Sequence, residues 1–366
     1  MIKNFEELIT LSKKYGVPKE DILFMDMNLS GLNATDDLDR VRFALKLDIN
    51  NGLFDLASKK SIENYYFALP VKLESNYHVN DNKLMFKDEM VVGKVGTLTE
   101  DFCDSSYSRR GGTVLNVNPN ARTSCRGCKF CYTAYQTARD KKKLTDRKSL
   151  EEFFDKWLLS HELANLSHVL QIAIVTGCFD SEQDVVNFLL LLNDVLKKYS
   201  FRGEIFYLGS QITTRESLEK LLPIKKFGYC ISLECFENRE YFLRDKKRKF
   251  TLENIIDTLG IAKELGFRTN FTYIVGLEDL ETIKRNFEKM IHYINSFPII
   301  NIFQEHKYHK GIRHETANNM EYYLQARKIM EEIFLPTEMR PRPWEDYRSL
   351  WYLKFANEEL DDIRTP

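Results

Sequence analysis

From Gly112 onward the chain alternates between two hydrophobic periods. Short runs rich in β-branched and aromatic residues read as strands at Thr113–Val117, Leu170–Thr176, Glu204–Leu208, Tyr229–Cys235, Thr269–Val275 and Ile299–Phe303. Apolar residues recur at helical spacing over Leu150–Ala164, Ser181–Tyr199, Thr214–Leu222, Leu252–Leu265, Leu280–Ser296 and Tyr322–Phe334. Six successive βα units predict a parallel sheet whose right-handed crossovers carry the helices on its outer face. The expected fold class is therefore α/β, a partial (β/α)6 TIM-like barrel, with an open doubly wound sheet as the other arrangement. In both, ligands collect at the carboxyl ends of the strands.

The preceding residues follow a different pattern. Phe5–Lys14 reads as an amphipathic helix and Asp37–Leu47 as another, while Tyr65–Val95 alternates as strands with a turn at Asn80–Asn82. The expected organisation is an N-terminal α+β extension over 1–111, a barrel core over 112–335, and a C-terminal tail over 336–366 that packs on or caps the barrel. Trp344, Tyr347 and Trp351 in that tail read as packing aromatics.

Composition narrows the class. The 366 residues are 43% hydrophobic and 13% aromatic, enough for one large core or two unequal ones. A net charge of -1 leaves no global footprint for nucleic acid or an anionic membrane. The longest apolar cluster, Val185 to Val195, is broken by Asn187 and Asn193 and is too short to span a bilayer. The acidic, amphipathic start does not read as a secretory signal, and seven cysteines with one tight triad point to a reducing, cytoplasmic setting.

That triad is Cys125, Cys128 and Cys131, directly after the first strand of the alternating region. Thiolates at two-residue gaps on one loop converge on a metal, as in ferredoxin-type ligand runs. Three thiolates leave one iron of a [4Fe–4S] cluster open to an exogenous ligand, which points beyond electron storage. A structural zinc site normally pairs separated knuckles, and no histidine lies between Cys125 and His161. Buried thiols as mere core are disfavoured by Arg126, Gly127 and Lys129 among them. His306, His309 and His314 lack helical spacing and a local carboxylate and read as loop residues; the runs Lys141–Lys143 and Lys246–Lys249 read as solvated charge.

A strand, a loop ending Cys128-Lys129-Phe130-Cys131-Tyr132, and then six βα units resemble the radical S-adenosylmethionine (radical SAM) superfamily over roughly Gly112 to Phe334. One departure stands out: the first gap is two residues where the superfamily usually has three, with Ser124 at the usual first cysteine. The resemblance implies a [4Fe–4S] cluster on Cys125, Cys128 and Cys131, with S-adenosyl-L-methionine chelating the fourth iron and Phe130 and Tyr132 packing beside it. It further implies cofactor contacts from Thr176 and Gly177 after the second strand, Ser232 and Glu234 on the fourth, and Ile274 and Gly276 on the fifth. A structural ion pair of Glu234 with Arg239 or Arg244, and a plain strand-ending role for Gly276, are the competing readings.

By the same resemblance the enzyme reductively cleaves S-adenosylmethionine to a 5′-deoxyadenosyl radical, which abstracts hydrogen from a substrate. Cys230, Asn270 and Thr272, with Gln304 or Glu305, are the inward residues proposed to meet that substrate, a small polar metabolite in a biosynthetic pathway. A low-potential donor such as flavodoxin or ferredoxin is implied as partner. A modifier of a peptide or tRNA remains the alternative, with a sheet edge in Tyr65–Val95 as a peptide dock, and a non-catalytic iron–sulfur carrier is a third. Neutral charge disfavours tRNA.

Overall fold

A computed structural model describes residues 1–34, 38–48, 65–87, 90–100, 106–109, 112–120, 127–135, 144–175, 177–343, 345–346 and 348–360. The described residues fall into two compact units, one within Met1–Asp101, Tyr273–Ile291 and Phe297–Asp362, the other within Phe102–Thr272, His292–Ser296 and Ile363–Pro366.

The first unit opens with helices α1 (Phe5–Tyr15) and α2 (Lys19–Ser30). Asn4 caps α1 by accepting from the Glu7 amide, and Gly16 ends it in the left-handed conformation at φ 62°. Strands β1 (Arg40–Leu47), β2 (Tyr65–Pro70), β3 (Tyr77–Asn80), β4 (Lys83–Phe86), β5 (Met90–Val95) and β6 (Thr99–Glu100) form an antiparallel sheet in the order β2-β1-β5-β4-β3, with β6 beside β1. Asp81 and Asn82, both at positive φ, make the turn expected there. The helix expected at Asp37–Leu47 is instead strand β1. Its alternation decides the matter: Val41, Phe43, Leu45 and Leu47 are buried on one face, which a period of two satisfies and a period of 3.6 does not. Helix α2 had no amphipathic signal because nearly all of it is buried, its polar residues included.

The alternating region follows as β7 (Ser106–Arg109), β8 (Val114–Val117), α3 (Arg147–Ser160), β9 (Gln171–Val175), α4 (Glu182–Lys198), β10 (Glu204–Gly209), α5 (Arg215–Glu219) and β11 (Phe227–Glu234). It continues with the short α6 (Arg239–Phe242) and α7 (Asp245–Lys249), then α8 (Leu252–Glu264), β12 (Arg268–Val275), α9 (Leu280–Met290), β13 (Ile299–Ile302) and α10 (Met320–Phe334). Asp146, Ser181 and Thr251 close capping boxes on α3, α4 and α8, so these boundaries are set locally.

The seven-stranded sheet has the order β13-β12-β11-β10-β9-β8-β7. β8 to β11 pair in parallel, and β7, absent from the sequence reading, adds antiparallel to β8. From β8 to β13 the order never reverses. A doubly wound sheet reverses at its switch point, whereas a barrel winds one way; the strand order is that of a partial (β/α)6 TIM-like barrel, and the chain also carries an N-terminal α+β extension. Among the described residues no helix is long and apolar enough to cross a membrane.

Candidate functional site

Register fixes which residues of the second unit share the inner face of the sheet. Asn116 sits opposite Ala173, Ala173 opposite Phe206, and Phe206 opposite Gly228. Alternation then carries that face through Cys230 and Ser232 to Glu234. On β12, the Arg268 guanidinium lies 4.8 Å from the Phe206 ring centroid and pairs with Glu204 at 2.6 Å, so Arg268, Asn270 and Thr272 face the same way. The opposite face is Ile172, Ile174, Ile205, Tyr207, Tyr229 and Ile231, all buried and almost wholly apolar, as a face covered by helices must be.

The polar face is layered. At the amino ends of its strands, Glu204 accepts from Arg268 and from the Gln171 amide at 2.8 Å, and Arg268 also donates to Ser296 Oγ at 3.1 Å. These contacts tie Gln171, Glu204, Arg268 and Ser296 together at that end. Nearer the carboxyl ends, Asn116 Oδ1, Ser232 Oγ and Thr272 Oγ1 are buried and have no hydrogen-bond partner among the described residues. Leaving such groups unpaired costs about 1–3 kcal/mol each. The three share the face that also carries Cys230 and Asn270.

The described part of the cysteine loop reaches the end of β11. The Lys129 amide donates to Phe242 O at 2.9 Å, and the Lys129 ammonium lies 3.2 Å from the centroid of the Tyr241 ring. The Cys131 amide donates to Cys128 O at 2.9 Å, closing a turn between the two cysteines. Burial pushes the Cys128 thiol up to about 11, against the opposing pull of the nearby Lys247 ammonium; the Glu234 carboxylate adds to the rise. Tyr132 is buried and Phe130 half-buried. Cys125 and Ser124 lie outside the described residues, as do Thr176, Cys103 and Lys141–Lys143. Among the described residues no three cysteine, histidine, aspartate or glutamate side chains are grouped to hold a metal ion.

Glu234 takes φ 70°, the left-handed region, where the strand turns away. Its carboxylate pairs with Lys247 at 3.1 Å. The expected alternative partner Arg239 is engaged elsewhere, donating to the carbonyls of Leu233 and Cys235 at 2.6 Å and clamping the turn. Lys247 belongs to the run Lys246–Lys249, expected to be solvated, yet it is half-buried. Sequence reasoning missed it because α7 is a single short turn of helix. It also missed Asn116, whose signal was available: one polar residue inside the apolar run Val114–Val117. After β9, Gly177 is buried, and Gln211 holds the turn by exchanging two hydrogen bonds with the Phe179 backbone at 2.8 and 2.9 Å.

Other expected site residues lie in the first unit. Gly276 has φ 110°, and a Cβ there would come within 2.9 Å of the Tyr323 hydroxyl, so glycine is required sterically. Ile274 is buried on β12, whose last residues belong to that unit. Gln304 donates to Asn28 Oδ1 at 2.7 Å and Ala68 O at 3.0 Å, a structural network. Trp351 is fully buried against Phe297 and Phe355, as a packing aromatic, while Trp344 and Tyr347 lie outside the described residues.

No family model matches the chain, and no curated protein matches it. Among solved structures it is similar to Streptococcus suis SuiB bound to S-adenosylmethionine, with a TM-score of 0.43 and 15% identity, covering 60% of this chain and 46% of that one. It is similar to the same protein bound to precursor peptide SuiA, with a TM-score of 0.42 and 14% identity over 61% of this chain and 46% of that one. The chain thus spans less than half the length of these SuiB chains.

Proposed function

We propose that the second unit is the catalytic part of a radical SAM enzyme acting on a small polar substrate at the carboxyl ends of the sheet. The observation that carries this reading is the convergence of Cys128 and Cys131 with Glu234 and Lys247, on the side of the sheet where Ser232 and Thr272 are buried without partners. These residues fit the group: two cysteines on one turn, the Lys247 cation near Cys128 to offset thiolate charge, and polar atoms unpaired among the described residues for an oxygen-rich ligand. When bound, such a cluster with S-adenosylmethionine supplies one-electron cleavage of a C–S bond and hydrogen abstraction from the substrate.

The chain's own residues do the rest. Cys128 and Cys131, with Cys125, hold the metal; Glu234 and Ser232 accept from and donate to the cofactor; Asn116, Cys230, Asn270 and Thr272 position the substrate. The Glu204–Arg268–Gln171 contacts link β9, β10 and β12 at the opposite end of the strands. Anaerobic reconstitution followed by iron and sulfide analysis tests the ligand set. One cluster of about four irons per chain is expected, lost in Cys125→Ala, Cys128→Ala and Cys131→Ala and kept in Ser124→Ala. Full iron in Cys125→Ala with loss in Ser124→Ala would overturn the shifted spacing.

A further inference from the structure

The first unit holds a cavity of about 80 Å³, lined by Lys72, Glu305, Arg313, Asn318, Asn319 and Tyr323 among others. Among the described residues its charged side chains form no close ion pair. Among the described residues, Lys72 makes one polar contact, to Leu29 O at 3.3 Å, and Arg313 makes one, to Tyr323 Oη at 2.6 Å; neither has a carboxylate in ion-pair range. Glu305 accepts only from the Gly311 amide, at 3.3 Å, and has no cation in range. Burial and the facing Arg313 charge hold the Lys72 ammonium below its ordinary value, while Glu305 and Glu74 oppose that. The buried Tyr323 hydroxyl accepts from Arg313 and keeps its own proton to donate. Asn318 and Asn319 bring the amino end of the 15-residue α10 to the same cavity, where the helix field favours an anion.

Two cations, a helix start and a spare hydroxyl donor ask for a carboxylate, and one lone carboxylate nearby asks for a cation. The geometry points to a binding site for a small free α-amino acid, its carboxylate on Lys72 and Arg313 and its ammonium on Glu305. The volume suits that class: at 10–15 Å³ of such space per water-sized group, the cavity takes roughly five to eight heavy atoms, the size of alanine or serine. This site goes beyond the proposed reading and stands without it, since it uses no residue of the cysteine loop.

Calorimetric titration of the full chain without cluster or S-adenosylmethionine tests it, so the result does not depend on the radical chemistry. L-alanine or L-serine should bind at least tenfold tighter than N-acetyl-L-alanine, which lacks the ammonium, and than L-alaninamide, which lacks the carboxylate. Arg313→Gln and Glu305→Gln should each weaken L-alanine at least tenfold; should Arg313→Gln not fold, Lys72→Met serves in its place. Equal binding of the blocked derivatives, binding of inorganic phosphate alone, or no heat with either amino acid would overturn the proposal.

Discussion

Ser232 and Thr272 bury hydroxyls that have no hydrogen-bond partner among the described residues, a cost that a bound ligand would relieve. Ser232→Ala and Thr272→Ala should therefore leave thermal stability unchanged or raise it, by up to about 1 kcal/mol, while weakening ligand binding. A stability loss above about 2 kcal/mol would mean that these hydroxyls serve the fold. Glu234 differs, because it already has Lys247 at 3.1 Å. Such a half-buried pair stabilises by about 1 kcal/mol or less, so Glu234→Gln should barely move the denaturation midpoint. Its S-adenosylmethionine affinity, read by equilibrium dialysis, should fall by about one to two decades, the worth of a charged hydrogen bond. Unchanged affinity with a lower midpoint would assign the carboxylate to the ion pair alone. Legibility at this scale follows spacing: Ser232 and Glu234 share a strand face by simple alternation, but Lys247 reaches Glu234 only through the fold of α6 and α7, which sequence period does not encode.

At the scale of elements, α2 shows why a helix can be buried nearly all round. Asp21 accepts from Arg327 at 2.7 Å and from the Leu353 amide at 2.8 Å, while Asp26 accepts from the Ile2 amide at 2.9 Å and the Tyr77 hydroxyl at 2.8 Å. Arg327 also donates to Glu331 at 2.8 Å and Leu350 O at 2.7 Å, tying α10 to the same network. Removing one member leaves a buried charge unpaired. Arg327→Met should cost about 3–5 kcal/mol in urea denaturation, and a loss under about 1 kcal/mol would show the network to be dispensable. Burial raises Asp26 to about 6. With a raised folded value, its stabilising contribution is complete below the unfolded carboxyl value near 4 and is lost as pH rises through about 6. Urea midpoints from pH 4 to 7 should thus fall more steeply in the parent than in Asp26→Asn; parallel curves would contradict the assignment. None of this was legible beforehand, because buried ion pairs between distant segments erase the polar stripe that marks an amphipathic helix. The strands and helices of the βα units were legible, since each carries its own period and, at α3, α4 and α8, its own cap.

At the scale of the molecule, unidirectional strand order puts the polar face of β8 to β12 and the loop after β8 at one end of the sheet. Sequence alternation forecast that strand arrangement. The expected set from the fifth and sixth strands divided: Asn270 and Thr272 share the inner face, whereas Gln304 turns to Asn28 and Gly276 is fixed by steric need. Side-chain direction past a strand end depends on tertiary contacts, which is why periodicity could not resolve it.

The central claim is radical SAM chemistry at this cysteine loop, and its most direct test is chromatography of nucleoside products after anaerobic incubation of the reconstituted, reduced protein with S-adenosylmethionine. The account predicts 5′-deoxyadenosine and methionine, formed slowly even without substrate and absent in Cys128→Ala. Intact S-adenosylmethionine, despite a fully loaded and reduced cluster and demonstrated binding, would contradict it and leave an electron carrier in its place.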